Sequence, residues 1–135
     1  MVSPLSVVLV VDVANVMGSR PDGWWRDRAG AATRLMSELA PLAGAEVRAP
    51  DGVPLVVSRV LAVLEGHARD AHAPEGVEAV RATADGDTTV RALATDLVAA
   101  GELVLVVTAD RRLRASLPAA AIVAGPRWLL DGPSI

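Results

Sequence analysis

Hydrophobic residues along this chain come in two arrangements: short unbroken runs, and stripes that recur every three to four positions. The first run, Leu5 to Val11, is almost wholly aliphatic and shows no polar–apolar alternation. Such a run reads as a strand covered on both faces, in the middle of a parallel sheet. It stops on Asp12, and VMGSRPDG, Val16 to Gly23, then reads as a loop. Trp24 to Leu42 reads as a helix, because Ala32, Leu35, Met36 and Leu39 make one stripe that Pro41 and Gly44 bring to a close. Glu46 to Ser58 holds a Pro-Asp-Gly turn between two apolar pieces and reads as a hairpin. Val60 to Leu64 is a second buried strand, followed by a polar loop from Gly66 to Pro74, and Val77 to Ala82 reads as a short edge strand. After TADGDTT, a helix running to about Ala100 carries the stripe Val90, Leu93, Ala94, Leu97 and Val98, with Gly101 as its C-cap. Leu103 to Val107 is a further unbroken run, Arg111 to Leu117 a short helix, Ala120 to Ala124 a last strand and Trp128 to Leu130 a last turn. Strands alternating with helices predict a three-layer α/β/α sandwich around a mostly parallel sheet.

Composition narrows this without changing it. The 135 residues suit one domain, 1–135, with no internal repeat and no linker. Apolar residues make up 52% and charged residues 21%, so the chain carries enough apolar material for a core. With no Phe and no Tyr, Val, Leu and Ala must build it, and Trp24, Trp25 and Trp128 are the aromatic rings. A formal charge of −3 gives no global attraction to nucleic acid, so a polyanion would have to meet a local patch. The absence of Cys excludes disulfides, thiolate metal sites and thiol nucleophiles. The opening MVSPLS has no basic n-region and its apolar run ends in an acid. Neither a signal peptide nor a membrane span is expected, and a cytoplasmic location is the default.

Three acids share one kind of place. Asp12 ends the first strand, Asp110 follows the Leu103–Val107 run, and Asp87 opens the helix of the Val90 stripe. In open α/β sheets the C-terminal strand ends are where ligands bind. If the strands are parallel, these carboxylates converge there, and they must then protonate or hold a cation. A site of oxygen ligands favours Mg2+ or Mn2+, and such an ion suits phosphodiester hydrolysis.

Those residues resemble a family. Asp12-Val13-Ala14-Asn15 after an apolar strand looks like the D-x-x-N start of NYN domains, part of the PIN-like nuclease group. Gly86-Asp87-Thr88-Thr89, opening an amphipathic helix, is similar to the acidic motif in the middle of those domains, and Val106 to Leu113 (VVTADRRL) resembles their strand-end motif. The resemblance covers nearly the whole chain in order and spacing. It implies a PIN-like fold and a metal-dependent ribonuclease, with Asp12, Asp87 and Asp110 as metal ligands. It further implies that Asn15 orients Asp12 or the substrate and that Thr108 supports the site. Many PIN-like nucleases have a fourth acid. Glu38, Asp85 and Asp96 are the candidates here, and Asp85, two residues before Asp87, is preferred as a metal ligand.

Plainer readings stand beside these. Asp87 and Asp110 each also look like a helix N-cap, a role compatible with metal binding. Asp12 is expected to cap no helix directly. One of Trp24 and Trp25 should pack on the sheet edge, while the other could stack on an unpaired base. Arg20 and Arg26 flank those rings and are candidate substrate contacts, as is Arg111 beside Asp110, each weighed against a solvated surface position. His67 and His72 read as surface residues. The alternative to an enzyme is a non-catalytic RNA-binding or regulatory module on the same fold. A haloacid-dehalogenase-type phosphotransferase would place its second acid where Ala14 stands, a receiver domain would need a Lys that the chain lacks, and no P-loop is present.

Overall fold

The computed structural model describes residues 3–135. Met1 and Val2, which begin the segment read as lacking a leader, lie outside the described residues. Six strands form one sheet: β1 (Leu5–Asp12), β2 (Glu46–Arg48), β3 (Pro54–Leu64), β4 (Val77–Arg81), β5 (Val104–Val107) and β6 (Ile122–Ala124). The helices are α1 (Val13–Gly18), α2 (Arg28–Leu39), α3 (Gly86–Ala99), α4 (Arg111–Ser116) and α5 (Pro126–Leu130). The order β2-β3-β1-β5-β6 puts β1 in the centre, and its last six residues are buried. β1 runs parallel to both β3 and β5, and β6 runs parallel to β5. The far edge of β3 carries two partners: β2 antiparallel along Pro54–Val56 and β4 parallel along Val60–Leu64. The sheet is thus mixed, five strands running one way and the hairpin strand β2 the other.

Side-chain alternation along β1 divides the core into two layers. Val7, Leu9 and Val11 pack with Val13, Val16 and Met17 of α1, the α2 stripe Ala32, Leu35, Met36 and Leu39, and Leu129 of α5. Val8 and Val10 point the other way, onto Val90 and Ala94 of α3 and Leu113 of α4. Helices cover both faces, as the unbroken aliphatic runs require. Trp128 packs against the first layer, and its Nε1 donates to the Arg48 carbonyl at 2.9 Å.

Three expectations need correction. The helix read from Trp24 to Leu42 is broken at Asp27: Trp24–Arg26 is a separate 3-10 turn, α2 starts at Arg28 with Asp27 as its cap, and Ala40–Leu42 is a closing 3-10 turn. The segment read as a loop after Asn15 begins as α1, whose Val13, Val16 and Met17 form a buried i, i+3, i+4 stripe. The Gly, Ser and Pro that suggested a loop come only at its end. The hairpin strand and the Val60–Leu64 strand are one continuous strand, β3, broken in register rather than in path. Its pairing with β1 jumps from Val57 to Arg59, leaving Ser58 as a bulge whose hydroxyl donates to the Val7 carbonyl at 3.2 Å. Before the bulge, odd-numbered residues Leu55 and Val57 face the α2 layer; after it, even-numbered Val60, Ala62 and Leu64 do. Leu61 and Val63 therefore turn to the α3 layer. No helix among the described residues is long and apolar enough to cross a membrane.

Candidate active site

The C-terminal rim of the parallel strands collects polar groups on the α3 side. Asp12 has the side-chain parity of Val8 and Val10, and Thr108 that of Val104 and Val106. Both are buried, Asp12 at 3% exposure and Thr108 at 0%. The Thr108 hydroxyl donates to Asp12 Oδ2 at 3.0 Å and accepts from the Asp110 amide at 3.2 Å. Asn15 completes the clasp: its amide donates to Asp12 Oδ1 at 3.4 Å, and its side-chain Oδ1 accepts from the Ala109 amide at 2.7 Å. Asp12 does cap a helix, α1, contrary to expectation, because the chain turns helical directly after the strand. The β1–α1 and β5–α4 junctions are thereby tied together by side chains that the sequence separates widely.

Asp110 caps α4, accepting from the Leu113 amide at 3.0 Å. Asp87 lies in the first turn of α3 and is not its cap; Asp85 is, accepting from the Thr88 amide at 2.7 Å. That leaves the Asp85 carboxylate exposed and engaged with its own helix, which holds it below the usual carboxylate range. Asp87 is half-buried. Burial, and then the negative charge of Asp110 beside it, raises its pKa, with Glu65 and Asp85 adding to the effect.

Glu65 is the acid that the sequence reading passed over. It follows Leu64 at the end of β3, and its carboxylate accepts from the Gly86 amide at the start of α3, at 2.7 Å. A Cβ on Gly86 would come within 3.0 Å of the Glu65 carboxyl carbon, so the glycine permits this close approach. A signal was available: Val60 to Leu64 runs into an acid just as the first and fifth strands do. Glu65 also bears on Asp12. Burial pushes the Asp12 pKa from 3.8 up to about 6, the hydrogen bonds from Thr108 and Asn15 pull it back, and the charges of Asp87 and Glu65 push it up again.

Asp12, Glu65, Asp87 and Asp110 thus come from four different elements to one rim, where their charges oppose one another. Neither ion pair among the described residues, Arg20–Glu38 or Arg59–Glu78, involves them. Oxygen donors under mutual repulsion suit a hard divalent cation. As the side chains stand, no group of three or more His, Asp or Glu among the described residues is placed to hold an ion.

The remaining predicted residues spread out. Arg20 is bound to Glu38 at 2.6 Å and lines a cleft with Leu39, Leu129 and Pro133, not with the acids. Asp96 is exposed on α3, and Arg111, Arg112 and Arg114 are exposed on α4, Arg111 next to Asp110. Trp24 is half-buried against the α2 layer, whereas Trp25 is 54% exposed. The guanidinium of Arg26 lies 5.5 Å from the Trp25 ring centre, and that of Arg28 lies 5.4 Å from Trp24. His67 and His72 are exposed.

No family model matches the chain, and no curated protein matches it. Solved structures do resemble it. A tryptophan-to-leucine mutant of Rae1 (YacP) from Bacillus subtilis matches with a TM-score of 0.68 at 20% identity, over 94% of this chain and 74% of that one. The crystal structure of Rae1 (YacP) itself matches with a TM-score of 0.66 at 20% identity, over 92% of this chain and 71% of that one. Over nearly its whole length, this chain therefore has the fold of Rae1 (YacP).

Proposed function

We propose that this protein is a metal-dependent ribonuclease. The observation that carries the reading is the gathering of Asp12, Glu65, Asp87 and Asp110 at one strand-end rim, none of them in an ion pair among the described residues. RNA as the substrate class rests on the likeness of the three motifs to NYN domains, and the shared fold with Rae1 (YacP) is consistent with it. Asp12, Asp87 and Asp110 would hold Mg2+ or Mn2+, and Glu65, not the exposed cap Asp85, would serve as the fourth acid. A bound cation of this kind activates water and neutralises charge developing on a phosphate. The chain's own residues do the positioning. Thr108 fixes one oxygen of Asp12 and the Asn15 amide the other, which holds the carboxylate in place. Asn15 holds the Ala109–Asp110 loop against the first turn of α1. Arg111, exposed beside Asp110, is placed to steady a phosphate of the strand.

A second reading, an RNA-binding module without catalysis, draws support from the lack of a ready-made three-ligand group among the described residues. Incubation with single-stranded RNA and Mn2+, with and without EDTA, separates the two. Cleavage that EDTA abolishes and that Asp87→Asn and Glu65→Gln lose supports the nuclease. RNA binding without any Mn2+-dependent cleavage refutes it in favour of the module.

A further inference from the structure

Two clefts adjoin the acidic rim on its α2 side. The first, about 350 Å3, is bordered by Ala14, Trp24, Arg28, Glu65 and Gly66. The second, about 440 Å3, is bordered by Trp25, Arg26, Asp27, Arg28, Ala29 and His67, two arginines against one acid. Both fall in the ~300–1,000 Å3 range of small-ligand clefts. Arg28 belongs to both, and Gly66 in the first is the chain neighbour of His67 in the second, so the clefts adjoin at Arg28 and together trace a path. The path starts at Glu65, an acid of the rim, and at Ala14, two residues beyond Asp12. It ends at Trp25.

Trp25 is the one exposed aromatic ring among the described residues. Its ring meets Trp24 edge-on, with centroids 5.9 Å apart and planes at 89°. Trp24 is packed on the core, so it anchors Trp25 while leaving the outer ring in water. With more than half of its surface in water, Trp25 adds little to the core, and arginines beside both rings add positive charge along the path. The nearby acids are engaged in backbone contacts: Asp27 accepts from the Gly30 amide at 2.9 Å and Asp22 from the Trp24 amide at 3.2 Å. A flat exposed ring, cations at its side and clefts that adjoin along the surface are the features that single-stranded nucleic acid uses, bases stacking on the ring while phosphates follow the cations.

We propose that this path binds the single-stranded RNA flanking the acidic rim, with an unpaired base stacked on Trp25 and backbone phosphate held by Arg28. The inference rests on the nuclease reading for its substrate class and adds a subsite, and hence a preference for unpaired over duplex RNA. A duplex keeps its bases stacked on one another and offers Trp25 no face.

The test is binding in EDTA, where cleavage is blocked, of a fluorescently labelled oligo(A) RNA of about ten nucleotides, a length within the usual single-strand site size. A blunt RNA duplex is the control, and melting curves verify that each variant is folded. Trp25→Ala should weaken binding of the single strand about tenfold, and Trp25→Phe should recover most of it. Arg28→Ala should flatten the salt dependence by about 0.7 in log–log slope, the contribution of one phosphate contact. Duplex binding should respond to neither Trp25 variant. Single-strand affinity of Trp25→Ala within about twofold of the parent would overturn the proposal, as would equal losses on strand and duplex. If Trp25 governs binding but no Mn2+-dependent cleavage exists, the nuclease reading falls and the path stands. If cleavage is present and Trp25→Ala binds as the parent does, the path alone falls.

Discussion

The most exacting consequence of this site is that its central acid opposes folding when no cation is bound. Asp12 ionises with a pKa of about 6 in the folded protein, against an ordinary value of 3.8, chiefly because it is buried. An acid whose pKa is raised by folding binds its proton more tightly in the folded state. Stability therefore falls as pH rises from about 4 through about 6, then levels off. The difference between 3.8 and about 6 corresponds to about 3 kcal/mol against the ionised folded form. Asp12→Asn removes the charge and keeps the shape, at the cost of one of the hydrogen bonds from Thr108 and Asn15, about 1 kcal/mol. The net expectation above pH 7 is about 2 kcal/mol of stabilisation, or a rise in Tm on the order of 5–8 °C for a domain of this size. Near pH 4 the advantage disappears. The assay is urea and thermal unfolding of parent and variant in EDTA from pH 4 to 8. Asp87 is displaced in the same direction, whereas Glu78 and Asp85 are lowered and contribute stability that is lost only at more acid pH. The difference between parent and Asp12→Asn isolates the Asp12 contribution. Adding Mn2+ should then raise the Tm of the parent and move that of Asp12→Asn much less. An Asp12→Asn protein that melts below the parent at pH 8 in EDTA would refute the reasoning.

Three further outcomes follow from the same geometry. Thr108→Val strips the buried Asp12 carboxylate and the Asp110 amide of a partner, and should lower urea stability by about 1–3 kcal/mol at pH 7. Asp85→Ala should lower the Tm through loss of the α3 cap while leaving the Tm rise with Mn2+ intact, whereas Glu65→Gln should diminish that rise. Gly86→Ala should change urea stability little, because the crowded Glu65 carboxyl can swing aside and alanine suits a helix better, but should reduce Mn2+-dependent RNA cleavage by displacing Glu65.

Much of this molecule can be read from local pattern. The aliphatic runs are the buried strands, and the stripes of α2 and α3 are the faces that pack. The hairpin turn at Pro50-Asp51-Gly52 joins β2 to β3 as its residues predict. The failures are local ambiguities that packing resolves. Six residues of α1 carry too few turns to outweigh the Ser, Arg and Pro that follow them. Two acids two residues apart, Asp85 and Asp87, both suit a helix start, and only the backbone path makes Asp85 the cap.

What the amino-acid order settles alone is where the aliphatic strands and the striped helices α2 and α3 lie, and that Asp12 and Asp110 each follow an apolar run. Periodicity and solubility decide those matters within a few neighbouring residues. Which face a side chain takes is a different kind of fact. The bulge at Ser58 reverses the alternation of β3, so that Glu65 falls on the side of Leu61 and Val63 and meets the first turn of α3. Had the same residues alternated regularly through Ser58, Glu65 would have the parity of Leu55 and Val57 and would face α2. The bulge lies where β3 must keep pairing with β1 while apolar residues on both sides of Ser58 reach the α2 layer. That is a condition set by partners distant in the chain, and the tertiary structure alone satisfies it.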